Sequence, residues 1–352
     1  MKISFLVTYY NQARFVKQSL ESILTLDIPC EYEILVGDDG STDGTVEEVK
    51  KYTAKYPNIK LFIMDRDITV TYIPLLRASA IRLQLLENAT GEFYCLLDGD
   101  DWYLSKTFVQ EAFFVMEQDE NVAVCAFNFA WVSDDNIKLH SPSISEGKNS
   151  AQKYLLTTYI HVGACVFRNV FDSEKIRFMK DFGHFDDQNI MAAHLQYGDL
   201  YYISKVSLAY RQTGVGIWTG MSQYEKHVLD AFEYDVLARY ANNYVKEIQQ
   251  RFLGSLRFVW KNRSKFYGEL GSEKAGAYVS LAKNINGCFY RIITFDKLEK
   301  KDKYDIKNFL QDTFRYKCIC FVKYVFYFVK KIIKTLMPYG LVRLIQLRKN
   351  VN

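Results

Sequence analysis

Residues 93–101, Phe-Tyr-Cys-Leu-Leu-Asp-Gly-Asp-Asp, run an apolar stretch straight into three carboxylates. Phe93 to Leu97 are almost continuously apolar, the pattern of a strand buried on both faces rather than on one. Asp98 and Asp100 are two residues apart, so in extended chain they project from the same side, and Gly99 keeps the gap between them clear. Carboxylates that converge at the end of a buried strand repel each other and lose hydration, which a divalent cation between them relieves. Oxygen ligands of this kind suit magnesium or manganese (Mg2+ or Mn2+), which keep some water and complete their shells with substrate phosphates. The plainer reading of the same residues is an acidic surface turn after a strand, and Asp-x-Asp alone does not separate the two.

The elements that must position these acids follow a strand and helix rhythm. Ile3 to Val7 reads as a buried first strand, ended by Thr8-Tyr9-Tyr10-Asn11. Phe15, Val16, Leu20, Ile23 and Leu24 then recur at helical spacing. A second strand at Glu33 to Gly37 leads into Asp38-Asp39-Gly40-Ser41-Thr42-Asp43, with Ser41 or Thr42 as the cap of a following helix. A strand at Lys60 to Met64 and a helix at Leu75 to Asn88 precede the acidic stretch. Such alternation predicts a mostly parallel α/β sheet, whose ligands bind beyond the carboxyl ends of the strands. Thr8 to Asn11, Asp38 to Ser41 and Asp98 to Asp101 therefore belong on one rim. There Asp39 is suited to accept a hydrogen bond from a nucleobase imide, and Asp98 to hold a ribose or the metal.

Composition narrows the class. A chain of 352 residues with 49% hydrophobic and 24% charged residues is globular and has ample core material. Its seven cysteines lack the spacing of a zinc site or a secreted disulfide framework, which predicts reduced thiols in a cytoplasmic protein. The first residues carry too short an apolar run for a signal peptide, and no stretch reaches the roughly 20 apolar residues of a membrane span. A net charge of +4 is too mild for a nucleic-acid partner.

The ordered set Val7-Thr8-Tyr9-Tyr10-Asn11, Val36-Gly37-Asp38-Asp39-Gly40-Ser41-Thr42-Asp43, Ala89-Thr90-Gly91-Glu92-Phe93 and Leu97-Asp98-Gly99-Asp100-Asp101 resembles the family 2 glycosyltransferases, over roughly residues 1–215. The resemblance implies a GT-A fold: a Rossmann-like, mostly parallel central sheet flanked by helices, here with a C-terminal helical extension. It also implies a UDP-sugar donor bound with a divalent metal and attacked with inversion. It maps Thr8 and Tyr10 to the nucleotide pocket, Asp39 to the uracil, Asp98 to the ribose or metal, and Asp100 to the metal. Arg82, seven residues before the Ala-x-Gly-Glu segment, maps near the donor, although Leu83 follows it where the family usually has Asn.

Inverting transfer needs a base on the acceptor hydroxyl. Phe182-Gly183-His184-Phe185-Asp186-Asp187-Gln188 resembles the family's Glu-Asp motif at a helix start, with Asp186 in the Glu place and Asp187 as the base. Helix capping is the plain alternative for this acid pair. Ala209-Tyr210-Arg211-Gln212-Thr213 resembles the Tyr-Arg-x-His segment that closes the catalytic region, but its His is Thr213 here. Arg211, or Trp218 in a glycine-flanked stretch read as a lid, is the suggested substitute. Trp131 reads as core rather than as a sugar platform.

Three regions result: a transferase domain over 1–220, a helical appendage over 221–312 and a basic tail over 313–352. In the tail Phe321, Val325, Phe328 and Ile332 share a helical face opposite Lys323, Lys330 and Lys334. Such a helix suits peripheral contact through 318–349 with an anionic membrane, on its cytoplasmic side, next to a glycan or lipid-linked acceptor. Packing on the protein with a solvated basic face is the other reading of the tail. A non-catalytic nucleotide-sugar-binding subunit is the rival function, separated by assaying donor hydrolysis or transfer. A sugar-phosphate nucleotidyltransferase would need a glycine-rich basic loop after the first strand, and Thr8-Tyr9-Tyr10-Asn11 is not one.

Overall fold

Ile3, Phe5, Leu6 and Val7 are wholly buried, because β1 (Lys2–Tyr9) lies between β2 (Glu31–Asp38) and β4 (Phe93–Asp98), both parallel to it. β3 (Ile59–Ile63) adds to the outer edge of β2, again in parallel. Parallel neighbours need crossovers, here α1 (Val16–Leu24), α2 (Thr45–Lys55) and α3 (Pro74–Asn88). The strands and helices expected over the first hundred residues are all present, displaced by a few residues at most. This computed structural model describes residues 1–67, 72–134, 136–157, 159–213 and 216–310.

The second half adds β5 (Trp102–Tyr103), α4 (Phe108–Gln118), β6 (Val122–Ser133), β7 (Asn136–Leu139), β8 (Gly147–Asn149), α5 (Ala151–Thr157), β9 (Cys165–Arg168), α6 (Ser173–Phe182), α7 (Asp187–His194) and β10 (Asp199–Arg211). β9 runs antiparallel to both β4 and β6, so β6 points the same way as β4, and β10 is parallel to β6. In the order β3-β2-β1-β4-β9-β6-β10-β5, six strands therefore share one direction and β9 and β5 oppose them. The sheet is mostly parallel, as the rhythm of the sequence predicts. The carboxyl ends of β1, β2, β4, β6 and β10 lie along one rim.

Two loops on that rim are stitched together. Asn11 sits at a φ of 51°, a conformation Asn tolerates. Its N–H donates to Ser41 Oγ at 2.8 Å, while Asn11 Oδ1 accepts from the Thr42 N–H at 2.8 Å. Ser41 and Thr42 are thus spent on the loop and do not cap α2. The helix instead begins after Gly44, at a φ of 93°, with Asp43 accepting from the Thr45 N–H.

Beyond β10 come α8 (Ile217–Gly220), α9 (Gln223–Tyr240), α10 (Val245–Lys261), α11 (Phe266–Leu270), α12 (Ser272–Ile285) and α13 (Cys288–Ile293). Val228, Phe232 and Val236 form the buried stripe of α9, which packs against α7, α10, α12 and α13. The chain divides into two compact units, Met1–Thr294 and Phe295–Asn352. The second is described to residue 310, as a short turn at Phe295–Lys297 and a helix over 300–310. The expected membrane-binding segment 318–349 lies outside the described residues. Among the described residues no helix is long and apolar enough to cross a membrane.

Candidate active site

β4 delivers the acidic turn. The Gly99 N–H donates to the Thr8 carbonyl and the Asp101 N–H to the Asp98 carbonyl, both at 2.9 Å, folding the turn back over β1. A Cβ on Gly99 would lie 2.1 Å from Tyr9 Cδ1, so only glycine lets the turn approach so closely. Asp98 Oδ1 accepts from Thr8 Oγ1 at 3.3 Å and from Arg82 Nη2 at 2.8 Å. Arg82, buried in α3, sends its other nitrogen, Nη1, to Asp186 Oδ1 at 2.7 Å. One guanidinium thus joins the end of β4 to the start of α7, which the sequence separates by 88 positions. Burial alone would raise the Asp98 pKa; the charge and hydrogen bond of Arg82, with the Thr8 hydroxyl, outweigh it and hold the carboxyl below its usual range.

The acid pair stands where a helix begins. Asp186 is the N-cap of α7, and its side chain accepts from the Asp187 N–H at 2.9 Å. Asp187 Oδ2 accepts from the Tyr159 hydroxyl at 2.7 Å. Burial first, and then the neighbouring Asp186 charge, push the Asp187 pKa up to about 7. A carboxylate poised there is half ionised at neutral pH, the condition for a general base. His184 is not at this surface: it is fully buried, burial lowers its pKa to about 4, and its Nε2 lies 3.8 Å from Glu233 of α9.

Asp39 is nearly buried and doubly clasped. Arg77 Nε donates to Oδ1 at 2.7 Å, Arg66 pairs with Oδ2, and Arg66 Nε also donates to the Asp39 carbonyl at 2.7 Å. The Arg66 guanidinium in turn lies 3.8 Å from the centre of the half-exposed Tyr10 ring. Tyr10 and Asp39 therefore flank one slot, which Arg66 fills.

Asp100 and Asp101 feel the crowding of the turn. Burial and then the Asp98 charge lift Asp100 to about 6, and burial with both neighbouring acids lifts Asp101 well above its usual value. Asp101 Oδ1 accepts from the Arg211 N–H at 2.8 Å, whereas Oδ2 is buried without a hydrogen-bond partner, 4.0 Å from His161 Nε2. The Arg211 guanidinium donates to the Asp100 carbonyl at 2.7 Å and lies between the Phe15 and Trp102 rings. Arg211 thus holds the turn through both its backbone N–H and its guanidinium. Trp218 is 48% exposed, with Lys226 over its ring.

Residues 4–175 match the sequence profile described as Glycosyl transferase family 2. That segment belongs to the family. A protein of Mycobacterium tuberculosis is 22% identical over 218 residues, which is 59% of this chain and 58% of the relative, so the chain spans little more than half of that relative's length. The poly(ribitol-phosphate) β-N-acetylglucosaminyltransferase TarS of Staphylococcus aureus is 32% identical over 123 residues, 35% of this chain and 20% of TarS. The crystal structure of S. aureus TarS residues 1–349 with UDP-GlcNAc superposes with a TM-score of 0.55 at 19% identity, covering 90% of this chain and 92% of that one. At that identity the superposition establishes a shared fold.

Family 2 enzymes imply a divalent cation, and the residues of this chain fit one. Asp98, Asp101 and His161 bring potential ligand atoms within 4.8 Å of one another. The carboxylates are hard oxygen donors, and the orphaned Asp101 Oδ2 points to a missing positive partner. His161 fits less well, because its Nδ1 accepts from the Gly163 N–H at 3.1 Å, which assigns the ring proton to Nε2. Asp100, named from the sequence as a metal ligand, is not in this three-residue group.

The sequence reading missed Arg66, Arg77, Tyr159 and His161. Arg77 stands five positions before Arg82 on the same helix, a signal available to inspection. Tyr159 and His161 carry no motif, and only the fold places them beside the acids.

Proposed function

We propose that this family 2 chain is an inverting glycosyltransferase that moves one sugar from a UDP-sugar to a hydroxyl of a glycan or lipid-linked glycan in cell-surface polysaccharide synthesis. The observation that carries the reading is the Arg82 bridge, which puts the donor-side acid Asp98 and the acid pair Asp186-Asp187 in one hydrogen-bonded cluster. The TarS structures that share the fold hold UDP-GlcNAc or UDP, which supports a uridine nucleotide as the donor.

In this reading Asp187 takes the proton of the attacking hydroxyl. Tyr159 orients it through the bond to Oδ2, and Asp186 and Arg82 keep it at the mouth of α7. Direct displacement follows, with no covalent enzyme intermediate. Mn2+ or Mg2+ held by Asp98 with Asp100 or Asp101 would supply charge neutralisation at the leaving diphosphate. Thr8 and Tyr10 line the nucleotide pocket. A uracil imide at Asp39 must displace Arg66 from Oδ2, leaving Arg77 on Oδ1.

Calorimetric titration tests the donor side. Manganese should strengthen UDP binding by at least about tenfold, a 1.4 kcal/mol effect, and Asp98→Asn and Asp100→Ala should each abolish that gain. Unaltered, manganese-independent UDP binding in both variants would remove the metal from the proposal. The chain is placed at the cytoplasmic face of an anionic membrane through 318–349. Co-sedimentation with phosphatidylglycerol vesicles, lost when 313–352 are deleted, checks that placement.

A further inference from the structure

Trp131, expected from the sequence to be core, is only half-buried and lines a cavity of about 310 Å³ with Ser133, Asn136, Lys138 and Gln212. That volume is at the lower end for a small-ligand site. The hairpin explains the grouping. Trp131 pairs with Lys138 and Ser133 with Asn136 across β6 and β7, and directly opposed residues share a face, as do residues two apart. On the other side Tyr210 of β10 is the register partner of Trp131, and Gln212 follows two positions on.

This face leads to the acids. The Trp131 and Tyr210 rings are 5.0 Å apart, Tyr210 and His161 4.4 Å, and His161 borders Asp101. By a second path Trp131 meets Phe129 at 5.1 Å and Phe129 meets Tyr159 at 6.2 Å, whose hydroxyl is bonded to Asp187. The cavity lining is therefore joined by packed rings to the proposed base and to Asp101, on the β6 side of the sheet and away from β2, whose end leads into Asp39. Among the described residues its lining has one indole face, one amine, two amides and a hydroxyl. A flat aromatic surface bordered by hydrogen-bonding groups suits a sugar or polyol, and the Lys138 amine suits an anionic group on it.

We propose that this cavity is an acceptor subsite. A sugar or polyol unit of the acceptor chain stacks on Trp131 and hydrogen-bonds to Asn136 and Gln212, and an anionic group of that chain meets Lys138. The inference rests on the transferase reading for its meaning, but it is tested by binding alone, without turnover. A glycerol-phosphate oligomer and a neutral cello-oligosaccharide of matched length are titrated against the full chain by ligand-observed NMR. The glycerol-phosphate oligomer should bind, and binding should weaken about tenfold in Trp131→Ala, the scale of a central aromatic contact. It should weaken about threefold at low salt in Lys138→Gln and lose its salt dependence. Trp131→Phe should recover much of the affinity, and UDP affinity should stay within twofold in every variant. Undiminished binding in Trp131→Ala overturns the subsite. Equal binding of the neutral chain, with no effect of Lys138→Gln, overturns its anionic character. Binding at the cavity with no transfer from any UDP-sugar would instead overturn the transferase reading and leave the subsite standing.

Discussion

Asp187 shows how one side chain is set for its task by what surrounds it. Burial and Asp186 raise its pKa to about 7, while the Tyr159 hydroxyl and Arg82 pull the other way. Activity that depends on its ionised form should climb through about pH 7 and level off above it. Asp187→Asn should cut transfer by at least about a hundredfold, the usual scale for a lost general base, with UDP binding retained. The same shift has a cost in stability. An unfolded Asp titrates at about 3.9, so the raised folded value favours the protonated, folded form. That contribution is present below the unfolded value and is lost as pH rises through about 7. The melting temperature of Asp187→Asn should therefore gain on wild type as pH goes from about 5 to 8. A pH-independent difference between the two would mean that folding does not raise the pKa of this carboxyl.

At the scale of elements, the loop after β4 works because neighbouring elements hold it from several sides. Thr8 of β1 and Arg82 of α3 hold Asp98, and the β10 end holds Asp101 through the Arg211 N–H. The strands and this rim were legible in the sequence, because buried parallel strands are unbroken apolar runs and their carboxyl ends carry the polar loops. The Ala-Thr-Gly-Glu segment was legible as a motif but not as a cause. Thr90 and Ser4 hydrogen-bond to buried Glu33, which against the effect of burial holds its carboxyl down at about 2, and Gly91 packs on Ser4. The contacts between halves were not legible, since no periodicity records that α3 meets α7. Arg82→Met tests that junction. Removing the shared cation leaves Asp98 and Asp186 facing each other without it, and the loss should be about 3–5 kcal/mol in a denaturant titration, with UDP binding weakened as well. Gly99→Ala should cost about 1–3 kcal/mol through its clash with Tyr9 and disorder the acidic turn.

Within the first compact unit, α9 among the helices that follow β10 packs against α7 and so supports the α7 side of the rim. Helical periodicity in the sequence announced them but not their partner, because an apolar stripe specifies a buried face and not what covers it. In the structure α9 lies against α7, and His184, just ahead of the Asp186 cap, sits 3.8 Å from Glu233 with its ring against Phe232. Phe232 itself is wholly buried and also meets Tyr278 of α12 and Phe289 of α13. The loops after β1 and β2 are held instead by each other, through Asn11, Ser41 and Thr42. Apart from the Arg82 bridge, the two sides of the rim thus have separate supports, and a defect that spares Arg82 should leave the other side intact. Phe232→Ala should lower stability by about 3–5 kcal/mol, as large core truncations do. Assayed below its melting point, the variant should lose transfer activity several-fold more than it loses UDP affinity. An equal loss of both would mean that the helices support the sheet as a whole and not the α7 side alone.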